Sequence, residues 1–293
     1  FDDREFLPNA ERRWNTPRYF HKQSSLAKTI LAAGGLQPVD LVALCEVEND
    51  SVMHFLCRRT RLARLGYEYL VTHSADRRGI DVALLYQPET FALLHSETYR
   101  VPYDSLRERP TRDLLHAAGR LPFGDTLDVF VVHFPSRRGG ATLSEPYRLR
   151  AAGILRHLAD SIARCRHTPR LLAMGDFNDE PHNASVSRVL APTFAELTSH
   201  ATPLPAEGHD DIEGSYYFRG EWSRIDQILV SPALLSPTMK FHTTPQSVHL
   251  LAFPPLLETL GRGTLSKPFR TYLGPFYHGG ISDHLPLCID FSY

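Results

Sequence analysis

Leu171-Leu172-Ala173-Met174-Gly175-Asp176-Phe177-Asn178 decides how this chain is read. Four apolar residues closed by a glycine read as a strand buried on both faces, with an acid and an amide at its rim. A second stretch has the mirrored order: Ser282-Asp283-His284 stands directly before Leu285-Pro286-Leu287-Cys288-Ile289. Strand rims are where α/β proteins build their sites, because the strands hold polar groups rigidly at one edge.

The chain of 293 residues is 42% hydrophobic, enough for one large domain or two small ones, and a single domain over 1–293 is expected. A formal net charge of −1 argues against a nucleic-acid coat protein and leaves room for local basic loops. The 15 histidines are scattered and form no metal-binding run. Cys45, Cys57, Cys165 and Cys288 lack paired or zinc spacing and read as buried free thiols. No apolar run approaches the ~18 residues of a membrane span, and a monomer is expected.

Hydrophobic period predicts helices over 23–33, 52–65 and 144–163, the last with Ser144 as N-cap and Glu145-Pro146 in its first turn. Strands are predicted over 40–46, 67–72, 80–86, 91–99, 113–121, 127–134, 171–174, 225–231 and 285–291. Residues 232–280, rich in Pro, Gly and Thr, read as a long excursion. Helices and strands interleave without strict βαβ alternation, so the fold class is α/β, with mixed sheets packed face to face and helices outside.

Several polar residues end or enter these strands. Glu46, followed by Glu48-Asn49-Asp50, is either a hard-cation ligand or an acid favoured by the dipole of the next helix. His133 reads as an acid–base group or a structural histidine. The loop behind it, Pro135-Ser136-Arg137-Arg138-Gly139-Gly140, suits a phosphate, or is a solvated charged loop. Asp176 can orient or deprotonate a water, and Asn178 can donate to a phosphoryl oxygen; a turn cap is the alternative. Asp226 shares a strand face with Ile228 and Val230, where a charge needs a partner. His284 is the natural candidate, Arg224 the alternative. Asp283 offers a second metal-side acid, Asp81 a group to orient His133, and Arg112 a phosphate clamp or a surface pair.

Together these pieces resemble the endonuclease/exonuclease/phosphatase superfamily. The matching strings are Leu44-Cys45-Glu46-Val47, Val131-Val132-His133-Phe134-Pro135-Ser136, Met174-Gly175-Asp176-Phe177-Asn178, Arg224-Ile225-Asp226 and Ser282-Asp283-His284, in the family's order. The resemblance implies a four-layer sandwich of two β-sheets flanked by helices. It also implies metal-dependent cleavage of phosphate esters, with Mg2+ (or Mn2+) as cofactor. Glu46 would then be the main metal ligand, with Asp283 beside it. Asp176 would position the attacking water, Asn178 would hold the phosphate, and Asp226 would orient His284 against the transition state. His133 would be an acid for the leaving oxygen. The wider sequence is similar to members from Bacteroidetes-type bacteria, often exported, so a periplasmic or extracellular location is expected. Members usually carry an asparagine on a first strand, in a string such as Asn-Val-Glu-Asn-Leu-Phe-Asp. Phe1-Asp2 resembles the tail of that string, and the reading expects the strand before it.

The expected function is a phosphodiesterase, a nuclease first, with nucleic acid as substrate. Gly-Asp-Phe-Asn and Trp222-Ser223-Arg224-Ile225-Asp226 are nearer the nuclease style than the Gly-Asp-Leu-Asn and Trp-Thr-Asp-Arg strings of phosphatase members. The alternatives are a phosphomonoesterase or phospholipase C-like enzyme on inositol phosphates or phospholipids, and a binding protein without catalysis. Loops 74–79, 107–112 and 261–280 are expected to choose the substrate.

Overall fold

The computed structural model describes residues 5–103, 110–205, 208, 211–260 and 265–293. The Phe1-Asp2 string, residues 107–109 and residues 261–264 of the expected substrate loops lie outside the described residues.

In chain order, α1 (Thr16–Gly34) precedes β1 (Leu41–Val47), α2 (Asp50–Arg59), β2 (Glu68–Val71), β3 (Asp81–Tyr86), β4 (Ala92–Tyr99), β5 (Leu114–Arg120) and β6 (Thr126–His133). Then come α3 (Ala141–Cys165), β7 (Leu171–Asp176), β8 (Ala195–Glu196), β9 (Thr202–Leu204), the hairpin β10 (Tyr216–Phe218) and β11 (Glu221–Ser223), and β12 (Asp226–Val230). The last part holds β13 (Val248–Leu251), the hairpins β14 (Leu257–Leu260)–β15 (Leu265–Pro268) and β16 (Tyr272–Leu273)–β17 (Phe276–Tyr277), and β18 (Leu287–Ile289).

Side-chain alternation along the buried strands sorts the molecule into layers. Val82, Leu84, Val129, Val131, Leu172, Ile228 and Val230 point into a central core between sheets. Their neighbours Phe130, Val132, Leu171, Ala173 and Leu229 turn outward under α3, against Ala151, Leu155 and Ala159. Ala83 and Leu85 turn the opposite way, under α1 and α2, against Ala27, Met53 and Leu56. The result is helix, sheet, sheet, helix. The larger sheet runs β4-β5-β6-β7-β12-β8, with β6 and β7 its parallel pair. Opposite it lie two three-stranded pieces, β1-β3-β2 and β18-β13-β9.

Besides the shorter elements found where 52–65 and 285–291 are predicted (Asp50–Arg59 and Leu287–Ile289), the structure departs from the predicted elements in three places. First, α1 starts at Thr16, where Asn15 accepts from the Arg18 amide, well before residue 23. Second, α3 starts at Ala141, so Pro146 lies inside the helix and Ser144 is not its cap; the Ser144 hydroxyl instead donates to the Gly140 carbonyl. Third, the stretch 232–280 is no mere excursion, since β13 pairs with β9 and β18 and buries Val248 and Leu250 in the central core. Short strands between prolines leave no period long enough to read. All four cysteines are free, but Cys165 is exposed.

Among the described residues, β1 pairs only with β3, and β18 only with β13. A cleft is lined by Leu41 through Glu48 and by Ile281 through Phe291.

Candidate active site

Strand register assembles the site. Across the parallel pair His133 stands beside Asp176, and across the next pair Asp176 stands beside Asp226, so three titratable residues form one row at the ends of β6, β7 and β12. The row depends on a close approach at Gly175, whose φ is 137°; a Cβ there would lie 2.0 Å from the Val132 carbonyl oxygen. His284 joins from the segment before β18, forming a backbone bridge with Tyr216.

His284 Nδ1 lies 2.7 Å from Asp226 Oδ2, which also accepts from the Ser215 hydroxyl. Burial disfavours the imidazolium, but the Asp226 charge and hydrogen bond, with Asp176 behind them, hold its pKa well above the usual histidine value. Asp176 is 7% exposed. Burial, reinforced by the Asp226 charge, raises its carboxyl to about 7, against the opposing pull of His284. A carboxyl poised near neutrality beside a held imidazolium suits proton transfer from water and stabilisation of developing phosphoryl charge.

His133 Nε2 is 3.4 Å from Asp176 Oδ2, while among the described residues its Nδ1 has no hydrogen-bond partner. Burial, then the charges of Arg112 and Arg78, hold its pKa well below the usual value. The ring is therefore neutral at pH 7, which suits a contact to Asp176 better than donation to a leaving oxygen. Asp81 does not orient it: Asp81 Oδ1 accepts from the Thr72 hydroxyl and the Ser74 amide, tying down the loop before β3.

Asn178 holds Asp176 rather than facing open space. Its backbone amide donates to Asp176 Oδ1 at 2.7 Å. Its side-chain nitrogen donates to the Phe134 carbonyl and to Asp176 Oδ2. Both side-chain N–H groups are thus committed, and a phosphate would have to displace one.

The three arginines separate. Arg112 is buried, 3.2 Å from Asp76 Oδ2, and also bonds the Phe134 carbonyl. Arg137 ties the loop after β7, donating to the Asn178 carbonyl and to Asn183 Oδ1, each at 2.6 Å. These two serve the backbone of the site, because buried carbonyls and carboxylates in its loops need donors. Arg138 lines the cleft, and among the described residues its guanidinium has no hydrogen bond or ion pair.

Glu46 sits in a break of the β1–β3 ladder, between Cys45 and Val47, with φ of 60°. A glutamate at positive φ is strained, and such strain gathers at functional positions. Asn178 shares the feature, with φ of 49°. Asn49 and Asp50 are the helix-start residues of α2, as cap and first-turn acid, so Glu46 stands apart from them. Glu46 and Asp283 both line the cleft, and both pull on the ammonium of Lys22, a half-buried residue that donates to the Ile281 carbonyl and the Thr271 hydroxyl.

These residues fit a hard divalent cation. Glu46 and Asp283 offer carboxylate oxygens, and on the facing row ligand atoms of Asp176, Asp226 and His284 lie within 4.8 Å of one another. Arg78, 3.5 Å from Glu46 Oε1, holds positive charge at the same acid.

A family model described as "Endonuclease/Exonuclease/phosphatase family" matches residues 1–292. The chain belongs to that family. Its members are hydrolytic phosphoesterases, generally dependent on a divalent metal. Comparison with curated proteins finds no match. Among solved structures, D. rerio TDP2 complexed with single-strand DNA product superimposes with a TM-score of 0.60 at 16% identity, covering 95% of this chain and 94% of that one. The human Nocturnin catalytic domain with bound sulfate gives 0.60 at 19% identity, covering 93% and 86%. A Bacteroides thetaiotaomicron mannosyl-6-phosphatase gives 0.59 at 14%, covering 94% and 92%. At these identities the likeness is one of fold.

Sequence reasoning missed Lys22, Arg78, Ser215, and the buried pair Arg148–Asp179 behind the site, whose Nε and Oδ1 are 2.7 Å apart. The last had a signal: Arg148 falls at helical spacing from Ala151 and Leu155, a charge on an apolar stripe.

Proposed function

We propose that this phosphoesterase is a magnesium- or manganese-dependent phosphodiesterase that cuts nucleic acid. The observation that carries the reading is the row His133–Asp176–Asp226 closed by His284, with a near-neutral carboxyl and a held imidazolium side by side. Glu46 and Asp283 would hold the cation, whose charge supports the phosphoryl oxygens. Asp176 takes the proton of the attacking water. His284, kept protonated by Asp226, donates to a non-bridging oxygen as charge develops. His133 and Asn178 keep the Asp176 carboxylate in place, and Arg138 meets phosphate at the cleft wall. The uncommitted Arg138 and the D. rerio TDP2 neighbour, crystallised with a single-strand DNA product, support nucleic acid over a small monoester.

A substrate panel tests this: plasmid DNA, single-stranded DNA, RNA, inositol phosphates and a sugar 6-phosphate, each with magnesium and with chelator. Cleavage of a nucleic acid that chelator abolishes, and that Asp176→Ala and His284→Ala each reduce by about 100-fold or more, is expected. Hydrolysis of the monoesters alone would move the protein to the phosphatases; near-normal turnover in both variants would refute the assigned roles.

A further inference from the structure

We propose that the β10–β11 hairpin is a base-stacking ledge, on which Tyr216 and Phe218 receive unpaired bases of a single-stranded nucleic acid whose scissile phosphate lies at His284. This rests on the nucleic-acid reading above and names the surface that would recognise the strand.

The two rings stand two residues apart on one face of β10. Their centroids are 6.2 Å apart and their planes 18° from parallel. Tyr216 reaches the candidate active site directly: its ring centroid is 4.8 Å from that of His284, and its backbone forms the bridge to that residue. The row of rings therefore begins at the phosphate-side imidazole and leads away from it. The opposite face of the hairpin is used differently. There Tyr217 packs edge-on against Trp222, and Trp222 packs on the central core. Core packing thus accounts for Trp222 but not for Phe218, which is 52% exposed.

The ledge is stiff. Phe218 and Glu221 are joined by a two-residue loop, Arg219-Gly220, with φ of 54° and 95°. Two positive φ values mark the tight hairpin turn whose twist matches its strands. The ring at the tip is held by backbone geometry rather than by a floppy loop.

The ledge is also flanked by cations. The Arg219 guanidinium lies over the Phe218 ring, 5.2 Å from its centroid, and that of Arg270 over the Tyr216 ring, 5.1 Å from its centroid, so one face of each ring carries a cation. Arg270 is anchored by donating to the Tyr217 carbonyl. Aromatic faces with guanidinium groups beside them accept any base and follow a phosphate backbone, which is how single strands are bound without sequence preference. Glu221 faces Phe218 across the hairpin, so the backbone path runs along the arginine side.

The test is fluorescence anisotropy in chelator, at fixed salt, with labelled dT10 and a decamer of the same length carrying no bases. The wild type is expected to prefer dT10. Phe218→Ala should weaken dT10 binding about tenfold, within the range for losing one stacked base, while binding the base-free decamer as the wild type does; Phe218→Trp should restore dT10 affinity. Unchanged dT10 binding in Phe218→Ala, or equal loss on both decamers, overturns the ledge. So does wild-type binding to phospholipid vesicles with none to dT10. Because chelator suppresses turnover, base-dependent binding without cleavage after magnesium is restored would keep the ledge and reject the catalytic reading. Cleavage without base-dependent binding would do the reverse.

Discussion

Asp179→Asn should be among the most damaging single changes near the site, although Asp179 touches no substrate. Its carboxylate lies 2.7 Å from Arg148 Nε, with the two side chains 3% and 2% exposed. Among the described residues, Arg148 otherwise bonds within α3, at the Ser144 hydroxyl and the Ala141 carbonyl. Asparagine preserves shape, and Ser185 still has an oxygen to bond, but the Arg148 charge is left buried without its counter-charge. Breaking a buried pair from one side costs about 3–5 kcal/mol, a large share of the ~5–15 kcal/mol that holds most domains folded. At about 2 °C per kcal/mol for a chain of this size, Tm should fall by roughly 6–10 °C. Urea unfolding followed by circular dichroism, in chelator, gives the free energy. The double variant Arg148→Met/Asp179→Asn removes both charges and should recover about 2 kcal/mol relative to additivity. A loss below about 1 kcal/mol for Asp179→Asn, or strictly additive costs in the double variant, would refute the reasoning.

Asp226→Asn removes the partner that keeps His284 charged. A histidine whose folded pKa is raised contributes stability that is full below about pH 6.5 and is lost as pH rises through the folded value; the gap between wild type and variant in chelator should therefore narrow toward alkaline pH, with the His284 NMR titration moving down. Asp128 has the opposite sign. Burial alone would raise it, yet hydrogen bonds from His116 and Arg166 hold it below the usual carboxylate range. Its contribution is present above about pH 4 and fades as pH falls through the lower folded value, so Asp128→Asn should lose stability at pH 7 and converge on the wild type in acid unfolding. Gly175→Ala forces a Cβ onto the Val132 carbonyl and should cost about 3 kcal/mol or more in urea unfolding, with activity lost alongside.

Long buried strands were the most legible part of the chain. Runs such as Val129 to Val132 and Leu171 to Ala173 are apolar on both faces because each lies between two cores. The contact between Asp226 and His284, 58 residues apart, was also readable, since a carboxylate beside Ile228 and Val230 needs a partner. Arginines were not. Arg112 and Arg137 sit beside the strings expected to meet phosphate, but sequence does not say whether a guanidinium points at a ligand or at its own backbone, and these two bond the Phe134 and Asn178 carbonyls. Asn178 posed the same problem, because an amide that braces Asp176 and one that grips phosphate look alike in sequence. Strand β13 was hidden because four residues between prolines carry too little pattern.

The site's two walls differ in stiffness. Asp176 closes a strand bonded along both sides within a six-stranded sheet. Glu46 falls in the break of the β1–β3 ladder, skipped between the pairs Cys45–Val82 and Val47–Asp81. A residue that its ladder skips is held less firmly than one paired on both sides. Thermal displacement in the cleft should therefore concentrate on the Glu46 side, so that the water-positioning wall acts as the fixed jaw and Glu46 as the compliant one.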